Sequence, residues 1–226
     1  MTITLAFDVY GTLVDPQGMA RLLEEDVGDS AAGVSQLWRQ KQLEFAFRRG
    51  LMRMYQNFGV VTRQALQTAM QQQGFILSKA REDELIAAYL KLPAFPDAAP
   101  VLAELGRHYP QFAFSNGTHE ALEQVLEHNE LREHLDGLVS VDDLRSFKPD
   151  PAVYAHARRA TGALDRPLCL VSSNGWDVIG ARAAGLMAIW VQRDPMVAFE
   201  DWGLQPSAII PDLYRLGEAL SGLADH

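Results

Sequence analysis

The chain has few of the features that mark secreted or membrane proteins. Its 226 residues include one cysteine, Cys169, so an intrachain disulfide is excluded. Cys169 lies in the apolar run 168–171, where we predict a buried and inert thiol. No apolar run approaches the roughly 20 residues of a membrane span, and no basic, signal-like stretch opens the chain. We therefore expect a cytoplasmic protein without a membrane partner.

Positive charge is also scarce. Twenty Lys and Arg residues against 29 Asp and Glu residues give a net charge of -9. Such acidity opposes binding to nucleic acid, so we expect no nucleic-acid partner. With 48% apolar and 22% charged residues, the composition is that of an ordinary globular protein. The length suits one large domain, or a core with a smaller insert.

Short apolar runs alternate with helical patterns along most of the chain. We predict strands at 3–8, 112–115, 138–140, 168–172 and 188–191. The helical patterns between these strands cover 98–108, 119–128, 151–161 and 176–184. This alternation predicts an α/β fold with a Rossmann-like, doubly wound parallel sheet.

One long stretch after the first strand breaks this alternation. It shows no convincing strand but four helical patterns, at 17–27, 35–49, 62–73 and 78–92. Thr62 and Ser78 are plausible N-caps of the last two. We therefore predict an all-helical cap subdomain of residues 16–93, inserted into a core of residues 1–15 and 94–226.

The first predicted strand ends in a carboxylate, Asp8. At the carboxyl edge of an α/β sheet, where ligands usually bind, a carboxylate can act as a covalent nucleophile. A phosphoryl-transfer enzyme of this design needs a second aspartate two residues later, and the chain has Tyr10 there. This favours displacement of a leaving group that needs no proton, such as halide. By itself, Asp8 is equally compatible with a helix N-cap.

Polar residues also follow three later apolar runs. They are Ser115-Asn116-Gly117, Lys148-Pro149 and the segment 172–177. Residues that follow different strands of a parallel sheet converge at one edge, so we expect these groups to share a crevice with Asp8. Each signal alone is weak, because Lys148 is compatible with a surface lysine and Ser115-Asn116-Gly117 with an ordinary turn.

Taken together, the segments resemble the haloacid dehalogenase superfamily, and within it the type II L-2-haloacid dehalogenases. The matching segments are Asp8-Val9-Tyr10-Gly11-Thr12-Leu13, Ser115-Asn116-Gly117, Lys148-Pro149-Asp150, Ser172 to Asp177, and the cap stretch Leu37 to Glu44. The resemblance covers nearly the whole chain. It implies hydrolysis of short (S)-2-haloalkanoic acids to (R)-2-hydroxyalkanoic acids with inversion, through an ester on Asp8.

The resemblance also implies the catalytic roles. Asp8 attacks the carbon that bears the halogen, and Lys148 keeps Asp8 ionised in a dry pocket. Asp177 activates the water that hydrolyses the ester, while Ser172 and Asn174 orient it. Thr12 supports the Asp8 turn, and Tyr154 resembles a family tyrosine near Lys148, although it is equally compatible with a core position.

The remaining assignments concern the substrate. Arg39 and Asn116 are expected to hold the halide. Ser115 is expected to hold the substrate carboxylate together with the backbone N–H groups around Tyr10 to Thr12, which include that of Gly11. Arg39 is alternatively an exposed helix arginine. The apolar wall is expected from Tyr10, Gln40, Leu43, Phe58 and Trp176, of which Leu43 and Phe58 are equally compatible with core packing.

No metal or cofactor is expected, and the resemblance implies a homodimer. Three alternatives stay open at this point. The first is a haloacetate or fluoroacetate dehalogenase with the same mechanism. The second is a magnesium-dependent phosphatase of the superfamily, which Tyr10 disfavours. The third is a receiver-like signalling module, which the helical insert disfavours.

Overall fold

The computed structural model describes residues 3–224, and six strands within that range form one parallel sheet. The strands are β1 (Thr4–Phe7), β2 (Gln111–Ser115), β3 (Gly137–Ser140), β4 (Leu168–Ser172), β5 (Met187–Val191) and β6 (Ala208–Ile210), in the order β3-β2-β1-β4-β5-β6. The chain winds outward from β1 to β3, returns to β4 beside β1, and winds outward again. The predicted doubly wound α/β fold is confirmed, and its switch point lies between β1 and β4.

Helices cover both faces of the sheet. They are α5 (Ala98–Leu105), α6 (His119–His128), α7 (Pro151–Ala160), α8 (Gly175–Ala183) and α9 (Leu216–Ala224). Successive residues of a strand point to opposite faces. Leu5 and Phe7 of β1 therefore share one core with α5, α6 and α9, whereas Ala6 shares another with α7 and α8. Burial on both faces explains why these strands read as continuous apolar runs.

Four helices lie between β1 and α5. They are α1 (Gly18–Val27), α2 (Ala31–Met52), α3 (Phe58–Gln72) and α4 (Lys79–Tyr89). The two segments that connect them to the sheet run side by side, because Asp15 N–H donates to the Pro93 carbonyl at 2.8 Å and Phe95 N–H to the Leu13 carbonyl at 2.9 Å. The helical insert therefore leaves and rejoins the sheet at one place.

Helices α2 and α3 begin at residues 31 and 58, before the predicted residues 35 and 62. Helix α2 begins at residue 31 and continues through Gly50, because a helical glycine costs only about 1 kcal/mol and packing against α3 outweighs it. Thr62 is not an N-cap: Asn57 caps α3 by accepting from Val60 N–H at 3.0 Å, and the Thr62 hydroxyl donates to the Phe58 carbonyl at 2.7 Å. The prediction for Ser78 is confirmed, since its hydroxyl accepts from Arg81 N–H.

The sequence predicts no element after residue 191, yet β6 and α9 are present there. Strand β6 has only three residues at the sheet edge, too few to show a period. Cys169 is buried in β4 as predicted, and burial raises the pKa of its thiol to about 12. Among residues 3–224, no helix combines the length and the apolar character that crossing a membrane requires.

Candidate active site

Asp8 lies directly after β1 and is almost fully buried, with 5% of its surface exposed. Its Oδ2 accepts hydrogen bonds from the Thr12 hydroxyl at 3.1 Å, the Ser172 hydroxyl at 3.1 Å and the Asn174 amide at 2.7 Å. Its Oδ1 faces the Lys148 ammonium at 3.3 Å. These contacts fix the carboxylate, and Oδ1 keeps more unshared lone-pair capacity than Oδ2.

Lys148 joins two carboxylates. Its side chain is only 1% exposed, and its Nζ donates to Asp8 at 3.3 Å and to Asp177 at 2.7 Å. The Phe114 carbonyl takes a third hydrogen bond at 2.8 Å, and the Phe114 ring lies 4.0 Å away. A buried ammonium with its three donors used in this way is fixed in position. We call Asp8, Lys148, Asp177, Thr12, Ser172 and Asn174 the carboxylate cluster.

Asp177 is the most buried acid of the carboxylate cluster. Its Oδ2 accepts from Lys148, and its Oδ1 accepts from the Tyr154 hydroxyl at 2.7 Å. Burial raises the pKa of Asp177 above its ordinary value, against the opposing effects of Lys148 and the Tyr154 hydrogen bond. Burial, followed by the nearby Asp177 charge, also raises the pKa of Tyr154. Tyr154 therefore acts as a donor to Asp177, and the structure places it in the site and in the core at once.

The segment after β4 is locked to the turn after β1. Ser172 Oγ accepts from Asn174 N–H at 3.1 Å, and Asn174 Nδ2 also donates to the Tyr10 carbonyl at 3.1 Å. Ser173, which lies in the matched segment but was assigned no role, donates its N–H to the Thr12 hydroxyl at 2.9 Å. The Asp8 turn itself requires Gly11, whose φ of +93° is strained for other residues.

Ser115 and Asn116 follow β2 at the same edge. Asn116 Oδ1 accepts from Lys148 N–H at 2.9 Å, and Ser115 Oγ accepts from Gly117 N–H at 3.2 Å. Among the described residues, we find no acceptor for the Asn116 amide hydrogens or for the Ser115 hydroxyl hydrogen. Both side chains are therefore oriented by their acceptor atoms while their donors stay available for an anion.

The backbone prediction for the Asp8 turn needs correction. Gly11 N–H donates to the Val14 carbonyl at 2.8 Å and Thr12 N–H to the Val9 carbonyl at 3.2 Å, because the turn closes on itself. Neither N–H is free to hold an anion as predicted. Within residues 3–224, no acceptor is found for the Tyr10 N–H, which leaves one backbone donor of the predicted set.

Arg39, on α2, reaches the site from the helical insert. Its guanidinium makes one long contact, to the Tyr10 carbonyl at 3.4 Å, and it has no carboxylate partner within the described part of the chain. It lines a cavity of about 520 Å³ together with Gly11, Ser173 and Asn174. A half-buried cation without a counter-ion beside an open cavity is a ready partner for an anion.

An aromatic cluster forms the wall beside Asp8. Tyr10 stacks on Tyr89 at 5.3 Å and lies 6.4 Å from Phe58, measured between ring centres. Burial raises the pKa of Tyr10, so its ring is a neutral wall group. Tyr89 and its neighbour Trp38 were missed, although Trp38 lies in the cap stretch that carries the family resemblance.

The other predicted wall residues differ in placement. Trp176 is half-buried against Phe47, with ring centres 5.2 Å apart, and Leu43 is half-buried on α2. Gln40 is exposed, so the structure does not bring it to the aromatic cluster. Gln42 is buried instead, and its amide donates to Thr62 and accepts from the Tyr89 hydroxyl. The helical period places residue 42, not residue 40, on the inner face of α2.

Among residues 3–224, no three or more His, Cys, Asp and Glu side chains are grouped as metal ligands. What the cluster offers is a fixed carboxylate, a buried lysine between two acids, and free donors nearby. This combination suits covalent catalysis by Asp8 followed by hydrolysis of the resulting ester.

Comparisons with known proteins agree on one family. The model of the haloacid dehalogenase-like hydrolases matches residues 4–185. An (S)-2-haloacid dehalogenase from Pseudomonas sp. (strain YL) is 38% identical over 98% of this chain and 97% of its own length. Haloacetate dehalogenase H-2 from Moraxella sp. (strain B) is 34% identical over 92% of both chains.

A solved structure gives the same result for the fold. The L-2-haloacid dehalogenase from Xanthobacter autotrophicus, with chloropropionic acid covalently bound, superposes with a TM-score of 0.91. The two chains are 32% identical, and the match covers 98% of this chain and 99% of the other.

Proposed function

The chain belongs to the haloacid dehalogenase-like hydrolases, and we propose that it is an (S)-2-haloacid dehalogenase. It converts short (S)-2-haloalkanoic acids to (R)-2-hydroxyalkanoic acids through an ester on Asp8. The observation that carries this proposal is the Asp8 carboxylate held by Lys148, with the ring of Tyr10 where a phosphatase needs its second acid.

In the first step, Asp8 Oδ1 attacks carbon 2 of the substrate from the side opposite the halogen. The carbon–halogen bond breaks as the carbon–oxygen bond forms, and the halogen leaves as halide with the bonding electron pair. No proton is needed, which agrees with Tyr10 in place of a general acid. Near-attack positioning of a buried carboxylate supplies effective molarities on the order of 10⁵ M or more.

Two groups of donors receive the two anions of this step. Arg39, with no counter-ion found in the described residues, and the Asn116 amide are the candidates for the departing halide. The Ser115 hydroxyl and the Tyr10 N–H are the candidates for the substrate carboxylate. Placing both anions near donors lowers the cost of burying them.

In the second step, water hydrolyses the Asp8 ester. Asp177 takes a proton from the water as the water oxygen adds to the carboxyl carbon of Asp8, and the bond between that carbon and Oδ1 then breaks. Oδ1 leaves as the hydroxyl oxygen of the hydroxy acid with the proton returned by Asp177, and the new Asp8 carboxyl group loses its remaining proton to solvent. The raised pKa of Asp177 makes it a stronger base than an ordinary aspartate once it is ionised. Asn174 and Ser172, which already bind Asp8 Oδ2, stabilise the negative charge that develops on that oxygen.

The stereochemical outcome follows from these steps. The bond to carbon 2 is made once, by back-side attack, and is left intact during hydrolysis at the Asp8 carboxyl carbon. One inversion therefore converts the (S) substrate into the (R) product. The Xanthobacter enzyme structure with covalently bound chloropropionic acid supports a covalent intermediate of this type.

Haloacetate is the main alternative substrate. The Moraxella haloacetate dehalogenase is 34% identical to this chain, and the same two steps apply to a substrate without a methyl group. Cleavage of fluoroacetate is the most demanding case, because fluoride is the poorest leaving group among the halides.

The proposal includes the organisation of the chain. We assign residues 16–93 to a cap and residues 1–15 and 94–226 to a core, on the basis of the paired connecting segments.

We assign a homodimer, supported by the exposed Leu51 and Trp202 beside an apolar cavity of about 650 Å³. Light scattering of the wild type and of Leu51→Glu tests the dimer. A cytoplasmic location is supported only by the free thiol of Cys169.

The activity is tested by halide release from separate (S)- and (R)-2-chloropropanoate, with and without EDTA. We expect release from the (S) form alone and no effect of EDTA. Release from chloroacetate but from neither propanoate would favour the haloacetate alternative. Magnesium-dependent hydrolysis of a generic phosphate ester without halide release would overturn the proposal.

A further inference from the structure

Arg193 lies at the same sheet edge as the carboxylate cluster but belongs to none of the matched motifs. It follows β5, just as Asp8 follows β1 and Ser173 follows β4. Its side chain is 17% exposed and lines the cavity of about 520 Å³ that also reaches Arg39 and Asn174. A cation at this point of the fold can act on the reaction without touching the substrate.

Its first contact is with the Asp8 turn. Arg193 Nη2 donates to the Thr12 carbonyl at 2.6 Å. Thr12 in turn donates its hydroxyl to Asp8 Oδ2 at 3.1 Å. The guanidinium therefore holds the backbone of the residue that orients the carboxylate.

Its other contacts lie where the helical insert rejoins the core. Both Nη atoms bind Asp97, each at 3.0 Å, and the guanidinium carbon lies 3.7 Å from the centre of the Phe95 ring. Asp97 is itself fixed, because it is buried and accepts from Leu213 N–H at 2.8 Å. Arg193 thus bridges the segment leaving β1 and the segment returning from α4.

From these contacts we infer that Arg193 is a positioning residue, which holds the Asp8 turn against the segment returning from the helical insert. The inference rests on the proposed function, because its effect is on the rate of attack by Asp8. A planar fork with two carboxylate bonds and a stacked ring is specific to arginine. Lysine at this position keeps the charge but not the geometry.

The test is Arg193→Ala, measured by halide release from (S)-2-chloropropanoate. We expect kcat to fall by about 10²-fold, the scale expected for a nucleophile misplaced by about 1 Å. KM should change far less, since Ser115 and Asn116 make no contact with Arg193. The kcat of Arg193→Lys should stay close to that of Arg193→Ala. Millimolar guanidinium sulfate should restore activity to the alanine variant through the adjoining cavity, whereas ammonium sulfate should not.

A matched control separates positioning from stability. Arg81 also pairs with an aspartate, Asp26, and donates to a backbone carbonyl, that of Leu22, but it lies on α4 away from the carboxylate cluster. Arg81→Ala should lower the melting temperature while kcat stays within about twofold of wild type. If Arg193→Ala fails to fold, Asp97→Asn removes the charged pair with little change in shape, and it should lower kcat in the same direction.

The outcomes are distinguishable. Suppose that the wild type releases halide and that Arg193→Ala behaves as Arg81→Ala does, with a lower melting temperature at unchanged kcat. Arg193 would then have a structural role, and the inference would be overturned. Absence of rescue by guanidinium, together with a rise in KM as large as the fall in kcat, would also overturn it. Absence of halide release from the wild type would overturn the proposed function first, and the inference with it.

Discussion

The two sides of the active site are held to very different degrees. On the sheet side, Asp8 Oδ2 accepts three hydrogen bonds, and Lys148 donates to both Asp8 and Asp177. On the helical side, Arg39 makes one contact at 3.4 Å. The chemistry is therefore preorganised by the sheet, whereas Arg39 from α2 is free to adjust to the substrate.

The largest effect should come from the sheet side. Asp8→Asn removes the nucleophile and should lower kcat by about 10⁴-fold or more, as expected for loss of a covalent catalyst. Halide assays over long incubations measure the residual rate. Substantial release by this variant would contradict the assignment of Asp8 as the nucleophile.

Lys148→Met should affect both rate and stability. It leaves Asp8 and Asp177 buried without their cation, and breaking a buried pair costs about 3–5 kcal/mol. Urea unfolding measures this loss, and halide release should fall severely. A stable variant would mean that the sheet side is less tightly coupled than its hydrogen bonds indicate.

Arg39→Ala tests the helical side. Loss of this α2 cation, which contacts the Asp8 turn, should lower kcat by about 10²–10³-fold, because the departing halide loses a charged donor. Arg48→Ala is the matched control on the same helix, since Arg48 is exposed and pairs with Glu44. Unfolding free energies of both variants should stay near wild type. If Arg39→Ala and Arg48→Ala were equally active, Arg39 would have no role in binding the halide.

Tyr154→Phe should change the pH dependence. The hydrogen bond from Tyr154 lowers the pKa of Asp177, so its loss raises that pKa further. Asp177 acts as a base only when ionised, and the acid limb of the kcat–pH profile should therefore move to higher pH. An acid limb that moves to lower pH, or stays in place, would contradict the role of Asp177.

The smallest effect distinguishes two glutamines on α2. Gln40→Ala should change kcat and stability little, because the side chain is exposed. Gln42→Ala should cost about 1–3 kcal/mol of unfolding free energy, since it leaves the Tyr89 hydroxyl without its buried acceptor and removes one of the two hydrogen bonds of Thr62. A large kcat loss for Gln40→Ala alone would show that α2 moves toward the site during turnover.

The sheet side of the site could be predicted from the sequence, and the helical side only in part. Asp8 directly follows β1, Lys148 lies in the connection after β3, and Asp177 lies in the first turn of α8 after β4. Parallel topology brings the ends of such strands together. Gln40 lies on a helix, where the buried face depends on packing that the sequence alone does not reveal. Tyr89 and Trp38 were missed for the same reason.

Other omissions have local causes. Closure of the Asp8 turn uses the N–H groups of Gly11 and Thr12, which no side-chain pattern reports. Arg193 follows a strand, as the motif residues do, and that position was the available signal. Its partner Asp97 lies at the start of α5, so the pair becomes visible only when β5 and the returning segment are placed together.

The central claim is that Asp8 forms an ester which water attacks at the Asp8 carboxyl carbon. A single turnover in H₂¹⁸O, with enzyme in excess over (S)-2-chloropropanoate, tests it directly by mass spectrometry of the Asp8 peptide and of the product. We predict ¹⁸O in the Asp8 carboxyl group and none in the hydroxyl group of the (R)-lactate. Label in the lactate with an unlabelled Asp8 peptide would mean that water attacks the substrate carbon, and would contradict the account.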